Sequence, residues 1–147
     1  MSATDPRTPT GCVLCVAAAE DPGQLVIHRT SLCFIVMNLF PYNSGHVMVA
    51  PLRHVADLRT ASAEELAEMM ALTRRLEGVM AEVYRPDGIN LGMNIGRQAG
   101  AGVADHIHLH VVPRWVGDTN FMTVVGDTRV HPEDPARACQ RLREHFR

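Results

Sequence analysis

Three histidines stand at alternate positions, His106, His108 and His110, separated by Ile107 and Leu109. If residues 106–112 form a strand, alternation sends the three imidazoles to one face and Ile107, Leu109 and Val111 to the other. Such a row does little for stability, because each ring needs a polar partner or water. Two chemistries use it. Imidazoles at i and i+2 can share a metal ion. Alternatively, one imidazole attacks an electrophile while its neighbours orient it. Just upstream, residues 96–102 read Gly-Arg-Gln-Ala-Gly-Ala-Gly. A loop so poor in bulky side chains offers backbone N–H groups to an anion. Beside the histidine row it favours a phosphate substrate.

A second constellation is Cys12-Val13-Leu14-Cys15. Its spacing suits a redox pair, half of a metal site, or two buried thiols. The thioredoxin-like redox use requires a parallel βαβ setting, which the neighbouring sequence lacks. Cys33 lies in an apolar run and reads as core, and Cys139 in a late helical pattern carries no functional signal. A disulfide scaffold is not expected for four cysteines in a chain of 147 residues.

The elements that must hold these residues follow from periodicity. Residues 13–19 read as a short helix, and Asp21-Pro22-Gly23 as a turn. Residues 24–28 and 31–37 form two antiparallel strands joined through Arg29-Thr30. Residues 41–45 form a loop, and residues 46–50 a third strand stopped by Pro51. Residues 62–84 form the long helix, opened by a capping box of Ser62 and Glu65. Its apolar stripe is Leu66, Met69, Met70, Thr73, Leu76, Met80 and Val83, read as core filling. Pro86-Asp87-Gly88 ends that helix. Residues 89–95 and 106–112 form the fourth and fifth strands, the latter stopped by Pro113. Residues 121–125 suggest a further short strand and residues 135–146 a C-terminal helix. Hairpin-like strands with segregated helices imply an α+β fold around an antiparallel sheet of about five strands. No repeat or linker divides it, so residues 12–147 are expected to be one domain behind a flexible tail, residues 1–11.

Bulk composition narrows the function. The formal net charge is -2, which leaves no electrostatic footprint for long nucleic acids. A small nucleotide needs only a few placed donors. With 46% hydrophobic residues but no run of membrane-span length, and no apolar stretch near the N-terminus, a soluble cytoplasmic protein is expected.

The segment His-Ile-His-Leu-His-Val-Val resembles the signature of the histidine triad (HIT) family, His-φ-His-φ-His-φ-φ with φ apolar. Asn38, Ser44-Gly45-His46-Val47-Met48-Val49-Ala50-Pro51, His54 and Asn94 with its glycine loop follow in the family's order, so the resemblance covers residues 12–115. Its details look most like bacterial members near the diadenosine tetraphosphate hydrolases and phosphorylases. The resemblance implies a HIT-like fold, a homodimer and an adenine-type nucleotide substrate. It implies that His108 attacks the α-phosphorus to form a nucleotidyl-histidine, that His110 donates to phosphate oxygens or the leaving group, and that His46 joins their network. It further implies that Asn38 holds the ribose, Met48 lines the base pocket or the core, and Asn94 contacts phosphate or leaving group. Gly100, Ala101 and Gly102 would offer backbone N–H groups, and Trp115 would cover a ligand or a partner's site. Some relatives with an N-terminal Cys-x-x-Cys bind structural zinc, with ligands matching Cys12, Cys15, His54 and His106. Gly102-Val103 departs from the Gln and Ser or Thr of many relatives, so hydrolysis and phosphorolysis both stay open. The alternatives are a nucleoside phosphoramidase of the same family and a non-catalytic nucleotide-binding protein.

Overall fold

A computed structural model describes residues 11–38, 45–96, 105–117 and 134–147. In chain order the elements are α1 (Val13–Ala19), β1 (Val26–Arg29), β2 (Cys33–Met37), β3 (Val47–Pro51), α2 (Ala63–Val83), β4 (Gly88–Gly92), β5 (Leu109–Arg114) and α3 (Pro135–Glu144). The strands form one antiparallel sheet in the order β1-β2-β3-β5-β4. This is the expected α+β architecture of five strands with a long helix and a C-terminal helix. The strand expected over residues 121–125 lies outside the described residues, as do residues 1–10 of the expected tail.

Alternation divides the sheet into two faces. Cys33, Ile35, Met37, Val47, Val49 and Val111 point to one side, where Met69, Leu72, Leu76, Val79 and Met80 of α2 and Ala138, Cys139 and Leu142 of α3 join them in the main core. Phe34, Val36, Met48 and Ala50 point to the other side, covered by Leu14 of α1. Fully burying one such side chain contributes roughly 1.5–3 kcal/mol, so these two layers dominate the stability. α2 begins where its sequence says: Glu65 N–H donates to Ser62 Oγ at 3.0 Å, and Ser62 N–H to the Glu65 carboxylate at 2.8 Å. Of its expected stripe, Leu66, Met69, Thr73, Leu76, Met80 and Val83 turn inward, and Met70 does not. Met70 is 59% exposed, while Leu72 and Val79 are buried in its place.

Both ends of β5 differ from expectation, and proline explains both. The β3–β5 register (Val49↔Leu109, Val47↔Val111) would set Ile107 opposite Pro51. Pro51 has no N–H for that ladder. The chain therefore leaves the sheet before Leu109, and Ile107 N–H donates instead to Val55 O at 2.8 Å. Asn94, expected within β4, lies past its end because β4 has no partner there. Pro113, expected to stop β5, lies inside it opposite Ile89. β3 accompanies β5 only as far as Val111, so Pro113 occupies a stretch with a single neighbouring strand, where a missing donor is tolerated. At the first hairpin, Arg29 belongs to β1 and the connection is Thr30 to Leu32, closed by Thr30 N–H to Cys33 O at 2.8 Å.

Candidate active site and metal centre

The three histidines do share the face opposite Ile107 and Val111, but each ring enters a different environment. His110 is the cross-strand neighbour of Met48. His46 precedes β3 on the same face, and its Nε2 lies 2.9 Å from His110 Nδ1. Asn38 Nδ2 lies 3.0 Å from His46 Nδ1. An amide nitrogen only donates, so His46 Nδ1 accepts. In neutral His46 the proton is then on Nε2 and is donated to His110 Nδ1. His110 in turn carries its own proton on Nε2, available as a donor. Burial holds both rings neutral: it lowers the pKa of His46 to about 4, with His110 and His108 adding to the effect, and lowers that of His110, with His108 adding.

His108 has the opposite polarity. Its Nδ1 lies 2.9 Å from the backbone oxygen of His106. A carbonyl only accepts, so Nδ1 carries the proton and Nε2 carries the lone pair. The His108 and His110 ring centres are 4.8 Å apart, with planes at 75°. A nitrogen lone pair and an N–H donor thus stand side by side, an arrangement suited to attack at phosphorus with stabilisation of its oxygens.

His106 turns away from this pair. Its Nε2–H donates to Pro51 O at 2.8 Å, which leaves the Nδ1 lone pair 3.4 Å from both Cys12 Sγ and Cys15 Sγ. His54 Nδ1 is 3.2 Å from Cys15 Sγ. One ligand atom from each of these four residues lies within 4.8 Å of the others. Two ligands at tetrahedral zinc, with bonds of about 2.3 Å to sulfur and about 2.05 Å to nitrogen, stand roughly 3.5 Å apart. The observed N···S separations match that spacing, and the donor set is the sulfur and nitrogen set zinc prefers. Burial pushes the Cys15 thiol up to about 12, with the Cys12 hydrogen bond and charge adding, so a thiolate here needs a cation beside it. Burial also lowers His106 to about 4, against the Pro51 hydrogen bond, keeping it an uncharged ligand. The Pro51 carbonyl would then serve as the outer partner that fixes His106 as a metal ligand.

Local structure positions the cluster. Cys12 is the N-cap of α1 and accepts from Cys15 N–H at 3.4 Å, which folds the Cys-x-x-Cys into one turn. His54 sits after β3, in a loop tied down by its neighbour Arg53. That guanidinium pairs with the buried Glu65 carboxylate at 2.6 Å and donates to Thr60 O. Gly45, just before His46, has φ +76°, and a Cβ there would stand 2.8 Å from Tyr84 Cε2 and 3.0 Å from Pro113 Cγ. Only glycine fits.

His46, His108, His110, Asn38 and Met48 are therefore brought together, and Cys12, Cys15, His54 and His106 form the adjacent cluster. Asn94 is exposed beyond β4. Trp115 is placed elsewhere: its Nε1–H donates to Tyr84 O at 3.2 Å, at the far end of β5 from His108. Gly100, Ala101, Gly102 and Val103 lie outside the described residues. Sequence reasoning missed the carbonyls of His106, Pro51 and Val55 and the Arg53–Glu65 pair. Backbone acceptors leave no residue-type signal, although Arg53 beside His54 was a visible cue.

The HIT domain family model matches residues 19–116. The chain is 47% identical over 114 residues to an AP-4-A phosphorylase of Mycobacterium tuberculosis, covering 78% of this chain and 58% of that protein. It is 34% identical over 89 residues to a bis(5'-adenosyl)-triphosphatase of Dictyostelium discoideum, covering 60% of this chain and 59% of the relative. The chain thus spans under two thirds of the length of both. A zinc-bound histidine triad family protein from Mycobacterium smegmatis has a similar structure, with TM-score 0.74 and 28% identity over 92% of this chain and 93% of that one.

Proposed function

The chain belongs to the histidine triad family, and from that premise we propose that it is an enzyme that cleaves dinucleoside polyphosphates at the α-phosphorus through a nucleotidyl-histidine at His108. The observation that carries this reading is the opposed polarity of His108 and His110. His108 Nε2 attacks the α-phosphorus, a P–N bond forms, and the P–O bond to the departing polyphosphate breaks. His110 Nε2–H donates to the oxygens that gain charge. Asn38 and His46 orient that donor, with Asn38 also placed for the ribose hydroxyls and Met48 for the base. An acceptor oxygen then attacks the phosphorus and the P–N bond breaks, restoring His108. Asn94 and the backbone of Gly100, Ala101 and Gly102 would contact phosphates, and Trp115 would meet a ligand or partner across a dimer.

Phosphate as the acceptor is favoured over water by the likeness to the phosphorylase. Cys12, Cys15, His54 and His106 would hold a zinc ion, whose contribution would be structural, since four protein ligands leave no open position for a substrate. Support comes from the separations within the cluster and from the zinc-bound neighbour. Among the described residues no helix is long and apolar enough to cross a membrane. A cytoplasmic homodimer is the working form proposed for the protein.

Product analysis with diadenosine tetraphosphate tests the reaction. ADP and ATP formed only when inorganic phosphate is present identifies a phosphorylase. AMP and ATP formed without phosphate identifies a hydrolase. An inert tetraphosphate together with amine release from an adenosine phosphoramidate overturns the proposal.

A further inference from the structure

Beyond the histidines, the same face of the sheet carries a second polar pair. Arg114 follows His110 by four residues on β5, so its side chain leaves the sheet on the histidine face. Asn90 of β4 lies opposite Val112, which puts it on that face as well. Arg114 Nη1 donates to Asn90 Oδ1 at 2.9 Å. Alongside the stretch from His110 to Arg114, β4 presents Gly92, Asn90 and Gly88. A Cβ added at either glycine would meet nothing within 4 Å. A strip of bare backbone thus runs beside β5 from the proposed phosphorus site to a guanidinium, and its one side chain, Asn90, accepts a hydrogen bond from that guanidinium.

We infer that Arg114, oriented by Asn90, binds the distal phosphates of the substrate, in the part that departs when His108 attacks. The inference rests on the reading of this site as one for dinucleoside polyphosphates. Length supports it. Four residues of strand span about 13 Å. A lone α-phosphate at His108 falls short of that span, whereas a chain of several phosphates covers it. Chemistry supports it too, because a planar guanidinium fork suits phosphate oxygens. Arg114 would then favour substrates with long phosphate chains over those that carry one phosphate. The competing role is mechanical: the pair pins the edge strand β4 to β5, irrespective of substrate.

The test compares wild type, Arg114→Gln, Arg114→Lys and Asn90→Ala as full-length proteins. kcat/KM is measured on diadenosine tetraphosphate and on adenosine phosphoramidate, and binding of inorganic tripolyphosphate is measured by calorimetry. Arg114→Gln is expected to lose about tenfold or more on the tetraphosphate, the scale of a hydrogen bond to a charged group. The phosphoramidate should change less than about twofold at that same scale of reasoning, since it has no distal phosphates. Tripolyphosphate binding should weaken in Arg114→Gln and Asn90→Ala and recover in part in Arg114→Lys. Equal losses on both substrates would assign the pair its mechanical role and overturn the inference, as would unchanged tripolyphosphate binding or none in wild type. If wild type cleaves only the phosphoramidate, the proposed reaction fails by itself, and calorimetry still decides the fate of Arg114.

Discussion

His108 Nδ1 donates to the backbone carbonyl of His106 at 2.9 Å, so the residue that faces the cysteines also sets which nitrogen of His108 keeps its lone pair. The cysteine cluster and the His108–His110 pair are thereby one continuous structure. His106 is clamped by Pro51 O through its ring, and Ile107 by Val55 O through its N–H.

Replacing His108 removes the lone pair without removing a core element. His108→Ala is expected to lower turnover of diadenosine tetraphosphate by on the order of 10⁴-fold or more. Its melting temperature should stay within a few degrees of wild type, because the His106 carbonyl can take a water in place of the lost donor. Retention of a tenth of the wild-type rate would remove His108 from the mechanism.

Loss of the metal should act on both stability and alignment. Treating the protein with a strong chelator, or replacing Cys15 with Ser, is expected to lower the melting temperature by on the order of 10 °C. Zinc content measured by atomic emission should approach one ion per chain before treatment. kcat should fall more than KM rises, since the His106 carbonyl that fixes His108 loses an anchor on its own side chain. A metal content near zero in protein purified without chelator, with a normal melting temperature, would argue for four packing residues and no ion.

Much of this site was legible in the sequence, for definite reasons. Alternation over residues 106–111 fixes a face whatever the strand's exact length, and the Ser62–Glu65 capping box is local chemistry that survives any tertiary context. The pairing of Cys12 and Cys15 with His54 and His106 was reachable only through family order, because nothing in spacing joins residues 94 positions apart. Tertiary detail escaped. That Pro51 faces Ile107, and so starts β5 at Leu109, depends on a register no single segment encodes. Pro113 sits in a strand because β3 has already ended beside it. Met70 has the spacing of a core residue, yet it lies at the edge of the stripe and is exposed, while Leu72 and Val79 at the other edge are buried. Trp115 donates to Tyr84 O at the far end of β5, a contact its position in the sequence does not announce.

Burial of His46 gives the stability a defined pH dependence. Its pKa is about 4 in the folded protein against 6.5 for the free side chain. Between those values the unfolded chain binds a proton that the folded chain refuses. Stability is therefore fully present above about pH 6.5, falls as the pH is lowered toward 4, and changes no further from this group below that. His46→Asn should reduce the slope of unfolding free energy against pH in that window, measured by urea denaturation at several pH values. The cysteine cluster contributes equally to both proteins and cancels in the comparison. Parallel slopes would mean that His46 is protonated as readily in the folded protein as in the unfolded one.

Two glycines should respond to alanine in opposite directions. Gly78 lies on the exposed side of α2, where a Cβ meets nothing within 4 Å. Alanine there removes backbone freedom from the unfolded chain and raises stability by about 0.5–1 kcal/mol. Gly45 has φ +76° and no space for a Cβ between Tyr84 and Pro113. Alanine there must shift a ring packed at the end of α2 as well as adopt a left-handed backbone, a loss of roughly 2–4 kcal/mol. Because Gly45 delivers His46 to its contact with His110, the variant should also lose activity at temperatures where it remains folded. Gly78→Ala should keep the full rate. Denaturant titrations and initial rates on both variants check the pair, and a stable, fully active Gly45→Ala protein would show that the approach of Tyr84 to this turn does not position His46.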